Sequence, residues 1–228
     1  MQVQRLTMTT IKGIFMRKIM VLNAKGGCGK TTLATNIASF YASRGDKVTL
    51  ADCDPQGSSI EWLQARNTER FNEIAGIKAW KTPTKPAKDT DYLVIDAPAA
   101  IHGREMSELI KRVESIIIPV LPSPIDIRAA THFIHDILLN AKVSRKQTRL
   151  AVVANRVREN TLIYDKLERF LKHLDIPMIG TLRDTQNYIR AAERGIGIFE
   201  MAPSAVEQDV EQWRSITRWL NSKRSLPE

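Results

Sequence analysis

The sequence predicts an α/β fold in which a doubly wound, mostly parallel sheet carries helices on both faces. Two observations lead to this prediction. Short apolar runs recur along the chain, and most are continuous rather than alternating with polar residues. A strand that is apolar on both faces belongs in a sheet that is covered on both sides. The segments between the runs have the length and periodicity of helices, and alternating strands and helices are typical of parallel α/β domains.

The elements can be placed in order along the chain. Strands are predicted at residues 18–23, 47–52, 91–96, 115–120, 149–155 and 177–181. The first helix runs from Lys30 to Arg44 and stops at Gly45, and a terminal helix covers residues 204–223. Residues 76–89 contain Pro83, Pro86 and four lysines, and they interrupt this rhythm. We expect them to form a surface strand or loop.

The chain of 228 residues has the length of one large α/β domain. Residues 1–15 contain no acidic residue and no long apolar segment, so they are predicted to be a disordered extension rather than a signal peptide. The predicted domain covers residues 16–228.

Composition limits the classes of function. The chain is 43% hydrophobic and 26% charged, as in ordinary globular proteins, which excludes collagen-like and wholly disordered classes. Lys and Arg number 34 against 25 acidic residues, a net charge of +9 that suits either solubility or a polyanionic partner such as DNA, RNA or anionic lipid. Two cysteines cannot form a disulfide framework, so a cytoplasmic location is expected. No apolar run has the length of a membrane span.

A glycine-rich loop follows the first predicted strand. Residues 23–32, NAKGGCGKTT, open the first helix. Glycines let backbone N–H groups turn toward phosphate oxygens, and the helix N-terminus adds partial positive charge. Lys30 would reach the terminal phosphates, and the Thr31 hydroxyl is placed for Mg²⁺. Ala24 replaces the first glycine of the general pattern, but the strand–loop–helix context supports a phosphate-binding loop.

Carboxylates end the next two predicted strands. Residues 50–57, LADCDPQG, place Asp52 and Asp54 at the end of one strand, and Asp96 ends the apolar run at residues 92–96. Ligands of doubly wound sheets lie at the carboxyl ends of strands, so these groups should share a crevice with the glycine loop. Asp54 followed by proline is also a common turn, and many buried strands end in Asp by chance. Three such sites in the expected order favour Mg²⁺ and water binding.

Lys25 distinguishes among the classes of phosphate-loop protein. A lysine before Gly-Gly-x-Gly-Lys-Thr-Thr resembles the deviant Walker A signature of the ParA/MinD family, where this lysine crosses a dimer interface to the partner's phosphates. Residues 52–57, 96–98 and 118–126 are also similar to motifs of that family. The likeness runs from about Met16 to about Gly197.

The resemblance implies ATP and Mg²⁺ as cofactors and a homodimer in the ATP state. Lys25 would act in trans, Lys30 within the subunit, and Asp54 would position the hydrolytic water. Asn155 and Arg156 resemble the family's adenine-reading position, and the alternative for Asn155 is a strand-end turn residue. The implied nucleotide contacts are Lys25, Gly26, Gly27, Cys28, Gly29, Lys30, Thr31, Thr32, Asn155 and Arg156, and the groups near the metal are Thr31, Asp52 and Asp96.

The resemblance further implies a cargo-positioning ATPase that binds nucleoid DNA without sequence preference. A ParB-like or other adaptor on a plasmid, chromosome or carboxysome would stimulate its slow hydrolysis. The candidate DNA contacts are Arg183, Arg190, Arg214, Arg218, Lys223 and Arg224.

Three alternatives stay open from the sequence. The basic end of the terminal helix could be an ordinary solvated surface that complements the helix dipole. A MinD-like membrane helix could use Trp213 and Trp219, although the polar end of the chain argues against stable membrane association. A metabolic enzyme of the dethiobiotin-synthetase type would share the loop, but Lys25 and the Asp-Pro-Gln-Gly segment argue against it.

Overall fold

The computed structural model describes residues 16–80, 85–99, 101–139, 147–158, 168–169, 171–172 and 176–227. The predicted extension at residues 1–15 lies outside this part of the chain, as do residues 81–84 of the predicted surface segment. The described residues form a seven-stranded, all-parallel sheet with helices on both faces, which confirms the predicted doubly wound fold.

The spatial order of the strands is β3-β2-β4-β1-β5-β6-β7, so the first strand lies at the centre of the sheet. The central strands are buried on both faces, as their continuous apolar runs require. The strands are β1 Arg17–Val21, β2 Val48–Asp52, β3 Ile74–Lys78, β4 Tyr92–Asp96, β5 Ser115–Val120, β6 Arg149–Val157 and β7 Met178–Arg183. The described helices are α1 Lys30–Ser43, α2 Ser58–Ala65, α3 Gly103–Ile110, α4 Pro124–Leu139, α5 Asn187–Glu193 and α6 Pro203–Leu220.

Two apolar layers enclose the sheet. On one face, Ile37 of α1 and Trp213 of α6 are fully buried in a cluster with alternate residues of the central strands. On the other, Met106 of α3 and Phe133 of α4 pack against the remaining strand residues. This arrangement leaves the carboxyl ends of all the strands at one edge of the sheet, where the functional residues lie.

Strand β3 departs from the sequence prediction. It occupies Ile74–Lys78 and pairs in parallel with β2 along its whole length, so only its last residues overlap the predicted surface segment. Ile74 and Ile77 are buried, while Ala75, Gly76 and Lys78 are exposed. An edge strand packs on one side only, so it lacks the continuous apolar run that marked the central strands.

Helix α6 belongs to the core. It packs on β7 so closely that a Cβ added at Gly180 would lie 2.5 Å from Cγ1 of Ile216. Trp213 and Trp219 are both buried. The membrane alternative needed these tryptophans at a surface, so the structure removes its main support. None of the helices in the described ranges is both long and apolar enough to cross a bilayer.

Candidate functional site

The glycine loop, residues 22–29, joins β1 at the centre of the sheet to the first turn of α1. Gly27 and Gly29 have φ angles of 74° and 95°, in the left-handed region that glycine adopts without a steric cost. A Cβ at Gly29 would also lie 2.2 Å from Nδ2 of Asn155. Gly26 and Gly27 are exposed, whereas the buried Cys28 directs its Sγ toward the Lys25 carbonyl at 3.3 Å. The loop therefore has the open glycine backbone that a phosphate cradle needs.

Lys30 lies under this loop and is 8% exposed. Its Nζ donates a hydrogen bond to the carbonyl oxygen of Lys25 at 3.1 Å, which directs the ammonium group into the curve of the loop. An ammonium ion with so little exposure needs a compensating anion. A bound phosphate would supply one. Thr32 is another of the predicted nucleotide contacts. It lies in the first turn of α1, and its carbonyl oxygen accepts a hydrogen bond from the side chain of Asn36.

Asp96 is a buried carboxylate of the site, and one of its two oxygens accepts no hydrogen bond from the described residues. Its Oδ2 accepts hydrogen bonds from Thr31 Oγ1 at 2.7 Å and Ser59 Oγ at 2.5 Å. Its Oδ1 is buried and has no hydrogen-bond partner in the described part of the chain. Burial raises the pKa of Asp96 to about 6. A carboxylate oxygen and a threonine hydroxyl side by side are the hard donors that Mg²⁺ prefers, so Thr31 and Asp96 fit their predicted metal role.

Asp52 has a different set of contacts from Asp96, its partner in the sheet register. It is fully buried, and its two oxygens accept hydrogen bonds from the backbone N–H groups of Asp54 at 2.9 Å, Ser59 at 2.9 Å and Ile60 at 3.2 Å. Burial raises its pKa despite these bonds. The structure thus uses Asp52 to anchor the loop at residues 53–57 and the start of α2. Its predicted place near the metal stays a prediction.

Asp54 lies at the mouth of the site and is half-buried. Its Oδ1 accepts a hydrogen bond from the Gln56 N–H at 2.9 Å. This is the hydrogen bond expected if Asp-Pro simply starts a turn. Its Oδ2 accepts a longer bond from Ala99 N–H at 3.4 Å, in the loop after β4. Asp54 therefore connects two loops above the carboxyl end of the sheet. Whether it positions water stays a prediction.

Lys25 forms an ion pair that the sequence did not predict. Its Nζ contacts Asp126 Oδ1 in the first turn of α4, and Lys25 remains 38% exposed while the Asp126 side chain is 10% exposed. Burial opposes ionisation of Asp126, but bonds from Lys25 and Ser123 outweigh it and lower its pKa. Ser123 also accepts a bond from the Asp126 N–H at 3.1 Å. In a single chain, Lys25 thus has a partner other than phosphate.

Asn155 and Arg156 lie near the end of β6, beside the glycine loop. Asn155 is 5% exposed, and its Nδ2 donates to the Cys28 carbonyl at 2.8 Å, so it braces the loop. Arg156 has a left-handed φ of 54° and is exposed, and its Nε donates to Asp184 at 3.2 Å. A cavity of about 310 Å³ lies between Arg156 and the residues that precede α4. The predicted adenine contact stays a prediction, but the space beside it is present.

The predicted DNA contacts lie on several different elements of the fold. Arg183, at the end of β7, donates to both oxygens of the fully buried Asp209 at 2.5 and 3.1 Å, so its charge is used inside the fold. Arg190 is exposed on α5, at a distance along the chain from the others. The remaining four are exposed on α6 and on the short 3-10 helix Lys223–Ser225 that follows it: Arg214, Arg218, Lys223 and Arg224. Arg214 pairs with Glu211 at 2.7 Å.

Sequence reasoning missed two contributors to the site, Ser59 and Asp126. Ser59 lies two residues after the Asp-Pro-Gln-Gly segment, but its spacing carries no signal for a contact with Asp96. Asp126 stands in the quoted segment 118–126, and an acid three residues after a serine is a helix-start signal. That signal indicates capping and not a partner for Lys25.

Comparisons with known proteins agree with this geometry. The family model described as the CobQ/CobB/MinD/ParA nucleotide binding domain matches residues 19–198. The "Maintenance of carboxysome distribution protein A" of Halothiobacillus neapolitanus is 30% identical over 189 residues, which is 80% of this chain and 87% of that protein.

Solved structures show the same fold. A variant of Cyanothece McdA in complex with ATP gives a TM-score of 0.67 at 16% identity and covers 90% of this chain and 98% of its own. The pNOB8 ParA bound to nonspecific DNA gives a TM-score of 0.54 at 18% identity, with 72% and 79% covered. Because the family model spans most of the chain and the site has the loop, lysine and carboxylates described above, the protein belongs to the CobQ/CobB/MinD/ParA nucleotide-binding family.

Proposed function

We propose that this protein is an Mg²⁺-dependent ATPase that forms a dimer when it binds ATP, binds nucleoid DNA without sequence preference, and positions a cargo through partner-stimulated hydrolysis. One observation carries the proposal. The buried Lys30, the Thr31 hydroxyl and Oδ1 of Asp96, which has no hydrogen-bond partner among the described residues, lie at the end of the sheet where the open glycine loop begins. A buried ammonium group and a buried carboxylate at the same end of the sheet have a common explanation in a nucleotide phosphate with a divalent cation.

Each group has a distinct task in this proposal. The N–H groups of the loop and the Lys30 ammonium bind the phosphates, and Asn155 holds the loop in shape through the Cys28 carbonyl. Thr31 and Asp96 would hold Mg²⁺, which when bound neutralises phosphate charge. Asp54, on a loop that also contacts Ala99, accepts a proton from the attacking water or orients it.

Lys25 connects nucleotide binding to dimer formation. Its ammonium is near the surface and pairs with Asp126 in the single chain. Lys30 already occupies the cradle from below, so a second lysine is not needed there. In the proposed dimer, Lys25 leaves Asp126 and contacts the phosphates bound to the other subunit.

The cargo and the DNA partner are proposed from what is stated of two similar proteins. The Halothiobacillus protein is named for carboxysome distribution, and a ParA of the same fold was solved with nonspecific DNA. We propose that this chain distributes a carboxysome or a similar large assembly over the nucleoid, with an adaptor protein on the cargo. The exposed cations at the end of α6 are the proposed DNA surface, because phosphate contacts by Lys and Arg carry no sequence information.

Fluorescence anisotropy with two unrelated DNA duplexes tests the proposal. With ATP, we expect affinities equal within about twofold for the two duplexes, and with ADP at least roughly tenfold weaker binding, because a dimer doubles the basic surface. The double variant Arg214→Glu/Arg218→Glu should weaken binding to both duplexes alike and flatten its salt dependence, without changing ATP turnover in the absence of DNA.

A matched charge reversal controls for net charge. Arg70 precedes β3 in the chain and Lys78 is the last residue of β3, and both are exposed. Strand β3 is the edge of the sheet opposite β7. The double variant Arg70→Glu/Lys78→Glu carries the same charge as the α6 variant and should retain most of the DNA affinity. Equal losses in the two variants, or binding that is the same with ATP and ADP, would contradict the proposed DNA switch.

A further inference from the structure

Ser59 lies in the first turn of α2 and is completely buried. Its hydroxyl donates a hydrogen bond to Oδ2 of Asp96 at 2.5 Å, across from α2 to the end of β4. Its backbone N–H donates to Oδ2 of Asp52 at 2.9 Å. One residue therefore contacts the carboxylates that end two adjacent strands.

The contact with Asp96 decides how that carboxylate is oriented. Thr31 Oγ1 donates to the same oxygen, Oδ2, at 2.7 Å. Two hydroxyl donors on one oxygen, from α1 on one side and α2 on the other, fix the rotation of the carboxyl group. The other oxygen, Oδ1, is then left buried without a hydrogen-bond partner in the described residues.

A purely structural serine would not require this arrangement. A buried hydroxyl needs a partner, and the common partner of a helical serine is the backbone carbonyl three or four residues earlier. The Ser59 hydroxyl instead lies against a buried anion. The preceding residue, Ser58, begins the same helix and is exposed, so the chain itself offers a serine in nearly the same place without this contact.

We propose that Ser59 is a positioning residue for the divalent cation: by holding Oδ2 of Asp96, it fixes the orientation of the carboxylate that would bind the metal. This inference rests on the proposed nucleotide function. When Thr31 turns its hydroxyl toward a metal, Ser59 becomes the donor that keeps the carboxylate from rotating. Because Ser59 is the second residue of the helix that follows the loop at residues 53–57, it also ties the position of that loop to the metal site.

Binding of Mn²⁺, measured by electron paramagnetic resonance in the presence of a non-hydrolysable ATP analogue, tests this proposal. Loss of one hydrogen bond to a charged group should weaken Mn²⁺ binding by roughly tenfold in Ser59→Ala. Binding of the analogue in EDTA should stay within about twofold of wild type, because the glycine loop and Lys30 are unchanged. Ser58→Ala is the matched control and should bind both as wild type does.

The hydroxyl itself is tested by Ser59→Thr, which retains the donor. We expect Ser59→Thr to bind Mn²⁺ within about threefold of wild type and clearly more tightly than Ser59→Ala. A thermal melt of each variant checks that Ser59→Ala is folded at the temperature of the measurement.

Three outcomes would overturn the proposal. Wild-type affinity for Mn²⁺ in Ser59→Ala would show that the carboxylate needs no second donor. Equal loss of analogue binding with and without metal would show a general structural role. A Ser59→Thr variant as weak as Ser59→Ala would show that the hydroxyl is not the cause. If the wild-type protein binds no nucleotide, the proposed function itself fails, and this result is distinct from all three.

Discussion

The ion pair between Lys25 and Asp126 makes a quantitative prediction about dimer formation. In the proposed cycle, Lys25 must leave Asp126 before it can contact the partner's phosphates. The free energy of this ion pair therefore opposes dimerisation, and a variant that lacks the pair should dimerise more tightly. Asp126→Asn removes the charge and keeps the shape of the side chain, so the start of α4 should be preserved.

The structure sets the size of the effect. Lys25 is 38% exposed, so the pair is partly screened and is worth about 1 kcal/mol. A dimer breaks two such pairs, one in each subunit, for a total of about 2 kcal/mol. This corresponds to a dimer dissociation constant lower by roughly 30-fold. Screening predicts that the difference becomes smaller as the salt concentration rises.

Sedimentation equilibrium with a non-hydrolysable ATP analogue measures this constant without interference from turnover. Asp136→Asn, an exposed carboxylate on the same helix, is the control for a change of net charge and should leave the constant nearly unchanged. Adding Lys25→Ala to Asp126→Asn should abolish the dimer again. An unchanged or weaker dimer in Asp126→Asn would refute the reasoning, because Asp126 would then stabilise the dimer rather than compete with it.

Four other substitutions test separate parts of the structure. Lys30→Ala removes the buried cation of the cradle, so fluorescent-ATP affinity should fall by roughly 100-fold or more; affinity near wild type would contradict the phosphate-loop assignment. Asp54→Ala should slow hydrolysis by roughly 100-fold while ATP binding stays within about twofold, as measured by phosphate release and by titration; unchanged partner-stimulated turnover would leave Asp54 as a turn residue alone. Arg66→Met breaks the buried pair of Arg66 with Glu200, whose side chains are 1% and 5% exposed, and should lower the free energy of unfolding by about 3–5 kcal/mol in urea denaturation. Arg214→Met breaks an exposed pair and should cost less than about 1 kcal/mol, so equal losses would contradict the argument from burial.

The central strands could be predicted because burial on both faces leaves a local signal. The predicted strand at residues 115–120 has the same bounds as β5, and those at 47–52 and 91–96 match β2 and β4 apart from one residue at the start. The edge strand β3 has neighbours on one side only, and its mixed pattern of buried and exposed residues carries a weaker signal. The local sequence pattern indicates how deeply a strand is buried, and a strand at the edge of the sheet is less buried than a central one.

Side-chain partners were harder to predict because they depend on the path of the chain between distant segments. Arg183 pairs with Asp209 on α6, a partner that the sequence did not predict, and its role as a DNA contact stays a prediction. A signal was present: Asp209 stands three residues after Val206 and four before Trp213, in the stripe that the helix buries. An acid in an apolar stripe needs a buried cation, and the sequence alone does not say which of many arginines supplies it.

The site itself follows from strand order more than from any one motif. In the register, Val21 of β1 lies beside Asp96 of β4, and Asp96 lies beside Asp52 of β2. The glycine loop that leaves β1 therefore starts next to Asp96, with the loop of Asp54 one strand farther along. Asp126 follows β5, the other neighbour of β1, so Lys25 meets its partner on the opposite side of the loop from Asp96. Since β1 separates the two sets of contacts, the groups proposed to bind the metal and the group that holds Lys25 reach the same loop from different sides.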